Sequence, residues 1–443
     1  DDINEEWLSD RSRFACDGLK RQRLDRCYVR KDGRLASASW SEAFAAIAAR
    51  INTLAGSQVA AIAGDQSDVE TLQALKDLLT ALGSPHMDCR QDGAKLSTGP
   101  RAGYLFNSTI AGIEQADALL IIGSNPRIEA PVLNARIRKR WLKGGFKAAA
   151  VGPKADLTFG HEWLGDSGGV LAALADGSHP FAQVLKGAQR PALIIGQGAL
   201  ARADGAAVLA LAARLAENCG MIKDGWNGFN VLHTAAGRVG GLDVGFVPQA
   251  GGRDTAAIVD GAQSGDIAAV FLAGADEVDM NALGDAFVIY MGSHGDAGAH
   301  RADVVLPTAA YTEKNATFVN TEGRVQRTRL AVFPPGEAKE DWKVVRALSD
   351  ALGKPLAFDS LRQLRERMIA GNPVFAAEGV VSAATWGDIG VAGPLGQAPL
   401  ASSIDNFYMV DPISRASRTM AECTAEFGGG CGCNGKKKTG THD

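Results

Sequence analysis

The amino-acid sequence predicts an α/β protein built on doubly wound parallel sheets, with more than one sheet in the chain. Short apolar runs with the length of buried strands alternate with segments of helical periodicity, as in repeated strand–helix units. The chain also holds 53 glycines and only 6% aromatic residues, a composition typical of sheets and helices joined by tight turns. A chain of 443 residues is too long for one ordinary core and predicts about two to four domains.

The composition excludes several classes of function. The formal net charge is −4, so no general basic surface points to nucleic acid as a partner. No run of about 18 apolar residues is present, so no segment is predicted to span a membrane. The seven cysteines, an odd number scattered over the chain, argue against a disulfide framework and favour a reducing compartment. Because the chain starts at Asp1 without Met or a signal peptide, we expect it to be a piece of a longer protein.

In chain order, a lead-in is followed by alternating strands and helices. Ser39 or Ser41 is predicted to cap the first long amphipathic helix, and Gly83 is predicted to end the helix over residues 69–82. From about residue 371 the periodicity fades, and residues 427–443 form a Gly- and Lys-rich tail expected to be disordered. The predicted strands cover residues 59–63, 87–90, 118–122, 148–151, 192–195, 268–272 and 287–290, and further helices cover residues 206–216, 341–352 and 361–368.

The stretch over residues 116–139 is the strongest candidate for a functional site. A buried strand leads into a short polar turn, and Pro131 opens the helix that follows. Open α/β sheets place ligands at such junctions, where backbone N–H groups can cradle a phosphate. The alternative is that the turn only connects two elements. The residues of this turn are Gly123, Ser124, Asn125 and Pro126.

Two glycine motifs have other interpretations. Residues 165–169 match the G-x-S-x-G nucleophile elbow, but no buried apolar strand precedes them, and a helix N-terminal turn is favoured. Gly196 and Gly198 follow an apolar strand and precede a helix, as in a dinucleotide-binding loop. Glu217 falls inside a helix and not at the end of a second strand, where a ribose-binding acid belongs. A tight turn is therefore the favoured interpretation here too.

Two sets of residues that are of metal-binding types are also not predicted to form a metal site. His294, Asp296 and His300 lie among glycines, which favours a loop. Cys423, Cys431 and Cys433 lack the C-x2-C spacing of zinc and iron–sulfur sites, and His442 could complete a site only from the tail.

Three stretches, in this order, resemble the molybdopterin oxidoreductase superfamily. The lead-in, with RFACDGL at residues 13–19, resembles its N-terminal part, and residues 116–126 are similar to its cofactor-facing turn. ADVVLP at residues 302–307, with EKNATFVNTEGRVQ at residues 313–326, looks like its late signature. The resemblance implies a molybdopterin oxidoreductase-like α/β fold with two doubly wound parallel-sheet domains, a small N-terminal lead-in and a C-terminal helical or irregular region.

The limits of the domains can also be predicted. Residues 1–55 are expected to be a lead-in that is the remainder of an iron–sulfur-type domain. Residues 56–87 and 191–350 are expected to form the first α/β domain, split by a second α/β domain inserted over residues 88–190. Residues 351–443 are expected to form a helical C-terminal region with a disordered tail.

Shorter strings narrow the resemblance to the family of the large peripheral-arm subunit, the G subunit, of bacterial NADH-quinone oxidoreductase, the respiratory complex I. They are DINEEW at residues 2–7, NPRIEAP at 125–131, NARIRK at 134–139 and PISRAS at 412–417. The resemblance implies a structural and assembly part of the peripheral arm, which supports electron transfer from NADH to quinone coupled to proton translocation. It implies other peripheral-arm subunits as partners, on the cytoplasmic side of the bacterial inner membrane.

The same resemblance also implies which cofactors to expect. Iron–sulfur clusters are expected in a part of the family's full-length chain that precedes Asp1, and no cofactor or active site is expected in residues 1–443. Catalytic relatives carry a metal-binding Cys or selenocysteine where Arg90 stands here, one place after Cys89. An arginine offers donors and no lone pair to a metal. Catalytic relatives also tend to have an acid after the strand corresponding to Val151, which holds a guanine of the pterin dinucleotide, whereas the turn here reads Gly152-Pro153-Lys154 and contains no acid. We therefore expect residues 123–126 to be a vestigial pterin-facing turn.

The sequence leaves two alternative functions open. The chain is a molybdenum- or tungsten-pterin oxidoreductase, such as a formate dehydrogenase-like subunit, if Cys89 supplies the thiolate and the turns at 123–126 and 196–198 hold the phosphates. It is a nucleotide-binding module if Gly196 and Gly198 are used for a dinucleotide.

Overall fold

The computed structural model describes residue 3 and residues 5–428. Within these residues the predicted α/β fold is confirmed, with two large sheets and two short two-stranded ones. The strands are β1 (Cys27–Lys31), β2 (Arg34–Ala38), β3 (Val59–Ala63), β4 (His86–Asp88), β5 (Ala118–Ile122), β6 (Lys147–Val151), β7 (Glu162–Gly165), β8 (Pro191–Gly196), β9 (Ile222–Lys223), β10 (Trp226–Asn227), β11 (Phe229–Leu232), β12 (Ala269–Ala273), β13 (Phe287–Gly292), β14 (Val304–Pro307), β15 (Thr317–Val319) and β16 (Val325–Arg327).

Helices connect most of these strands. In chain order they are α1 (Asp10–Phe14), α2 (Trp40–Ile51), α3 (Val69–Leu82), α4 (Pro126–Glu129), α5 (Pro131–Leu142), α6 (Gly168–Asp176), α7 (Pro180–Gly187), α8 (Gln197–Leu200), α9 (Gly205–Asn218), α10 (Arg238–Val244), α11 (Thr255–Ser264), α12 (Ala297–Arg301), α13 (Asp341–Ala351), α14 (Leu361–Gly371), α15 (Pro412–Ala416) and α16 (Arg418–Phe427). No helix among the described residues is long and apolar enough to cross a membrane.

The larger sheet has seven strands in the order β2-β1-β14-β13-β12-β3-β4. The pairs from β14 to β4 are parallel, and β1 runs antiparallel to both β2 and β14. From β3 the chain moves outward to β4, whereas β13 and β14 extend in the opposite direction from β12. The pair β3–β12 is therefore the switch point of this sheet, where a crevice opens at the carboxyl ends of the strands.

The lead-in, expected over residues 1–55 as the remainder of an iron–sulfur-type domain, contributes β1 and β2 to this sheet. Tyr28 and Val29 of β1 pair with Val305 and Val304 of β14. The backbone groups of β14 would otherwise form an exposed sheet edge, and β1 satisfies them.

The smaller sheet has five strands in the order β11-β8-β5-β6-β7, and all of its pairs are parallel. The expectation that residues 191–350 continue the first sheet is therefore wrong for β8 and β11. Strand β8 pairs with β5 along its whole length, from Ala118–Pro191 to Ile122–Ile195. Both strands are apolar on both faces, and this pattern does not specify the neighbour with which a strand pairs.

Helices cover both faces of each sheet, which explains why the central strands are apolar at every position. In β5, Leu119 and Ile121 belong to one apolar cluster, while Leu120 and Ile122 belong to the largest one. Helix α5 contributes to the first cluster, and α6, α7 and α9 to the second. In the larger sheet, α2, α3 and α13 lie on one face and α11 on the other.

Several local signals in the sequence are confirmed at helix ends. Ser39 caps α2: its Oγ accepts from the N–H of Glu42 at 3.2 Å, and Glu42 Oε2 accepts from the N–H of Ser39 at 2.8 Å. Gly83 ends α3 with a φ of +78°. Pro131 is the first residue of α5.

The C-terminal region is only partly helical. Residues 377–411 contain no helix or strand and run as an irregular segment between α14 and α15. The tail expected to be disordered begins at the end of α16, and its residues 429–443 lie outside the described part of the chain.

Candidate functional site

The predicted turn lies at the carboxyl end of β5, between β6 and β8. Gly123 adopts a φ of +55°, and a Cβ placed on it would lie 2.5 Å from Ala199 Cβ. A Cβ on Gly196 would lie 2.6 Å from the carbonyl oxygen of Gly123. The glycines at the two strand ends are therefore needed for close approach of the backbones, which is a structural role.

The hydrogen-bond donors of this turn are directed at a carboxylate of the chain itself. Ser124 Oγ donates to Glu129 Oε2 at 2.7 Å, and the N–H of Asn125 donates to Glu129 Oε1 at 2.9 Å. Ser402, from the irregular C-terminal segment, donates its Oγ to the same Oε1 at 2.6 Å. Glu129 is only 5% exposed, so its carboxyl oxygens are satisfied mainly by these donors. The carboxylate takes the position that the sequence predicts for a phosphate.

The C-terminal segment covers the turn from outside the sheet. The N–H of Leu400 donates to the carbonyl of Asp166 at 2.7 Å, and Leu400 is 1% exposed. A Cβ on Gly198 would lie 2.0 Å from the carbonyl oxygen of Ala401, and Arg202 donates to the carbonyl of Pro399 at 3.0 Å. The segment over residues 396–402 therefore packs tightly on the strand ends at which the ligand was predicted.

Arg90 forms a buried ion pair. Its Nε and Nη2 donate to the two carboxylate oxygens of Asp88 at 2.7 and 3.0 Å, and Nη1 donates to the carbonyl of Leu96 at 3.2 Å. Cys89 is 3% exposed, and burial raises the pKa of its thiol to about 12. A Cβ on Gly241 of α10 would lie 2.7 Å from Cys89 Sγ, so the thiol is packed against this helix. The pair at residues 89–90 offers no thiolate at neutral pH.

The other candidates have structural partners. Lys154 lies over the ring of Trp163, with 5.5 Å from its Nζ to the ring centroid. Glu217 accepts a hydrogen bond from Trp386 Nε1 at 2.8 Å. Helix α6 begins at Gly168, within the G-x-S-x-G motif of residues 165–169, so the motif is a helix N-terminal turn as predicted.

The histidine loop is also structural. His294 donates its Nε2–H to the carbonyl of Gly18 at 2.9 Å, and burial lowers its pKa to about 4. Among the described residues there is no group of three or more His, Cys, Asp or Glu that could hold a metal ion. Of the three tail cysteines, Cys431 and Cys433 lie outside the described residues, as does His442.

Sequence reasoning missed one buried charge cluster. Arg238 is 1% exposed, and its Nη2 lies 3.0 Å from Asp92 Oδ1 and 3.7 Å from Asp65 Oδ1. Its Nη1 donates to Gln197 Oε1 at 3.4 Å. These partners follow β3, β4 and β8, so the guanidinium links the carboxyl ends of both sheets. A lone Arg at the start of a short helix carries no signal in sequence that would reveal this position.

Comparison with known proteins assigns the class. The family model described as Molybdopterin oxidoreductase matches residues 23–351. The chain therefore belongs to the molybdopterin oxidoreductase family. The model for the C-terminal part of the NADH-ubiquinone oxidoreductase G subunit matches residues 381–423, and the model for the NDSU1/NuoG-like 4Fe-4S domain of NADH-ubiquinone oxidoreductase matches residues 1–17.

Curated relatives make the similarity more specific. The chain is 41% identical to the G subunit of the NADH-quinone oxidoreductase of Rickettsia bellii, over 96% of this chain and 60% of the relative. It is also 41% identical to the mitochondrial NADH dehydrogenase [ubiquinone] iron-sulfur protein 1 of Solanum tuberosum, over 96% of this chain and 57% of that protein. The chain thus spans about 60% of the length of the curated relatives that it matches.

Two solved structures share the fold. One is the formyltransferase/hydrolase complex FhcABCD from Methylorubrum extorquens, with a TM-score of 0.54, 19% identity and 74% of this chain and 99% of that chain covered. The other is acetylene hydratase from Pelobacter acetylenicus, with a TM-score of 0.51, 14% identity and 76% of this chain and 63% of that chain covered. At these identities the likeness concerns the fold alone.

The residues present do not fit the metal–pterin cofactor that the family name implies. The turn that would take a phosphate already binds Glu129, and the C-terminal segment packs over it. Arg90, which stands where the resemblance implies a metal-binding residue, has a guanidinium without a lone pair and is paired with Asp88. The neighbouring Cys89 is a buried thiol.

Proposed function

We propose that this chain is a structural and assembly part of the peripheral arm of an NADH-quinone oxidoreductase, corresponding to the C-terminal part of its G subunit. The observation that carries the proposal is the 41% identity to such a subunit over 96% of the chain. The two subunit-specific family matches lie at opposite ends of the chain, at residues 1–17 and 381–423. The whole length of the chain is therefore similar to one kind of subunit.

In this role the chain supports electron transfer from NADH to quinone without an active site of its own. The ion pair of Arg90 with Asp88, and the closure of the turn at residues 123–126 by Glu129, support a fold retained for packing. We propose that this turn is a vestige of a pterin-facing site. Packing of sheets and helices does not depend on a cofactor, so the fold persists without it.

The same proposal extends to cofactors, partners and location. Iron–sulfur clusters would lie in a preceding part of the longer protein, in line with the 4Fe-4S family match at residues 1–17. The partners would be the other peripheral-arm subunits, on the cytoplasmic side of the bacterial inner membrane.

Purification from the native host tests the assembly role. A tagged full-length protein should co-purify with the remaining peripheral-arm subunits and with NADH-oxidising activity towards an artificial acceptor. An untagged strain taken through the same steps is the control. Recovery of the tagged protein without those subunits would contradict the proposal.

Metal and pterin content test the absence of catalysis. Plasma mass spectrometry of the purified protein should detect neither molybdenum nor tungsten in stoichiometric amount, and extraction should release no fluorescent pterin. Near-stoichiometric metal with pterin would instead support the alternative, a molybdenum- or tungsten-pterin oxidoreductase. Cys89→Ala would then be the first variant to test for loss of metal.

A further inference from the structure

A crevice opens at the switch point of the larger sheet, at the carboxyl ends of β3 and β12. Its lining includes Asp65 after β3, Gln91 after β4, Glu277 after β12 and Lys314, and its cavity volume is about 50 Å³. Parallel sheets bind ligands at this kind of position. The predicted turn at residues 123–126 belongs to the other sheet, so the crevice is a separate feature.

Two buried oxygen atoms in the crevice lack hydrogen-bond donors. Gln91 is 6% exposed, and its Oε1 finds no donor among the described residues. Asp65 Oδ1 is also buried and makes no hydrogen bond among the described residues, although it forms an ion pair with Arg238 Nη2 at 3.7 Å. Buried acceptors without a hydrogen bond destabilise the fold, so two of them in one crevice indicate a ligand that donates.

The charges around the crevice are not balanced. Each of three cations is shared between one carboxylate that lines the crevice and a second carboxylate behind it. Arg238 lies between Asp65 and Asp92, Arg415 between Glu277 and Asp296, and Lys314 between Asp341 and Asp68. Six carboxylates therefore share three cations, and the remaining negative charge favours a cation in the crevice.

Burial is the main cause of the raised pKa values of the lining carboxyl groups, and neighbouring carboxylates add to it. Burial raises the pKa of Asp65 to about 6, and the charge of Asp92 adds to the effect. Burial also raises the pKa of Glu277 and that of Asp341, each with a second carboxylate nearby. His294, which also lines the crevice, is neutral at pH 7 because burial lowers its pKa to about 4.

We propose that the crevice binds a small organic cation with N–H donors, of the ammonium or guanidinium class. Its N–H groups would donate to Gln91 Oε1 and Asp65 Oδ1, and its charge would be balanced by the lining carboxylates. Tyr311, which is 44% exposed, places an aromatic ring in the lining, and such rings attract cations. A metal ion is disfavoured because the described residues offer no group of three ligands for one. The proposal stands independently of the assembly role.

Calorimetric titration of the full chain tests the proposal. The probe is agmatine, which carries a guanidinium and an ammonium group, and one molecule is expected to bind per chain. Tetramethylammonium has the charge without N–H donors, and potassium is a simple cation, so both are expected to bind at least tenfold more weakly. Failure of agmatine to bind saturably, or equal binding of either control cation, would overturn the proposal.

Two variants locate the site. Gln91→Leu removes an acceptor without changing the charge, and Asp65→Asn removes one carboxylate. Each is expected to weaken agmatine binding at least tenfold. Asp285→Asn, at an exposed position before β13 and therefore at the amino ends of the parallel strands, should leave binding unchanged. Circular dichroism shows which variants are folded, and if Asp65→Asn is not, Gln91→Leu decides alone. Unchanged affinity in a folded Gln91→Leu variant would overturn the assignment.

Discussion

At the scale of single residues, charges of the chain occupy the places where the family resemblance predicted a cofactor. Glu129 accepts the hydrogen bonds of the turn, and Arg90 is paired with Asp88 in the position of a metal ligand. Both groups are buried, so each depends on its partners for its stability. Substitution of either one should therefore cost much more than substitution of an exposed charge.

Replacement of Arg90 by Met should lower the free energy of unfolding by about 3–5 kcal/mol, because it leaves the Asp88 carboxylate buried without its cation. Chemical denaturation of the two proteins measures the difference. Arg362→Met is the matched control: Arg362 pairs with Glu366 on an exposed helix surface, and its loss should cost about 0–1 kcal/mol. Equal effects of the two substitutions would mean that the buried pair contributes little.

Replacement of Glu129 by Ala should destabilise the protein by about 2–3 kcal/mol, since three donors lose a charged acceptor. Thermal unfolding should show a lower midpoint for this variant. Glu366→Ala, at an exposed position of α14, controls for the loss of a glutamate. If Glu129→Ala unfolded at the midpoint of the control variant, the closure of the turn would not depend on this carboxylate.

At the scale of elements, the irregular C-terminal segment determines whether the strand ends of the smaller sheet are accessible to a ligand. It has no regular hydrogen-bond pattern of its own and is held by contacts to the sheet, such as Leu400 to Asp166. The glycines beneath it permit its close approach, most clearly Gly198. A short side chain at that position would have to displace the segment.

Gly198→Ala is expected to cost about 1–3 kcal/mol, because its Cβ would lie 2.0 Å from the carbonyl oxygen of Ala401. Hydrogen exchange should become faster at the amide of Leu400, which reports detachment of the segment. Gly187→Ala is the control, since a Cβ there meets nothing within 4 Å. Slow exchange at Leu400 in the Gly198→Ala variant would show that the segment does not depend on this contact.

At the scale of the whole molecule, buried carboxyl groups at the ends of the larger sheet link stability to pH. Asp276 accepts hydrogen bonds from Tyr290 and from the N–H of Gly298, and burial, helped by Asp296, raises its pKa to about 7. A carboxyl whose pKa is raised on folding stabilises the fold fully below its unfolded pKa. This contribution is lost as the pH rises through the folded value.

The difference in unfolding free energy between the natural protein and Asp276→Asn should therefore change with pH. Between about pH 4 and pH 7 the natural protein should lose about 3 kcal/mol relative to the variant, which has no proton to release. Denaturation across this range measures the difference. Asp260→Asn, at an exposed position of α11, should show no such slope. A flat difference for Asp276→Asn would mean that this carboxyl does not hold its proton in the folded protein.

Much of the fold follows from local features of the sequence. The apolar strands β3, β5 and β8, the cap at Ser39 and the helix end at Gly83 were all predictable, because burial on both faces and backbone conformation act over a few residues. The predicted strand at residues 87–90 is present as the shorter β4, since the chain leaves the sheet where the N–H of Cys89 bonds to Phe246.

By itself, therefore, the sequence determined the α/β class, the positions of most elements and the turn at residues 123–126, through short-range patterns. The tertiary structure alone decided that β8 pairs with β5, that Glu129 and Ser402 close the turn, and that Arg238 joins the ends of both sheets. These contacts join residues far apart in the chain or depend on a side-chain orientation. The spacing of residues in the sequence does not specify these contacts, because they form only when the packed sheets bring the strand ends together.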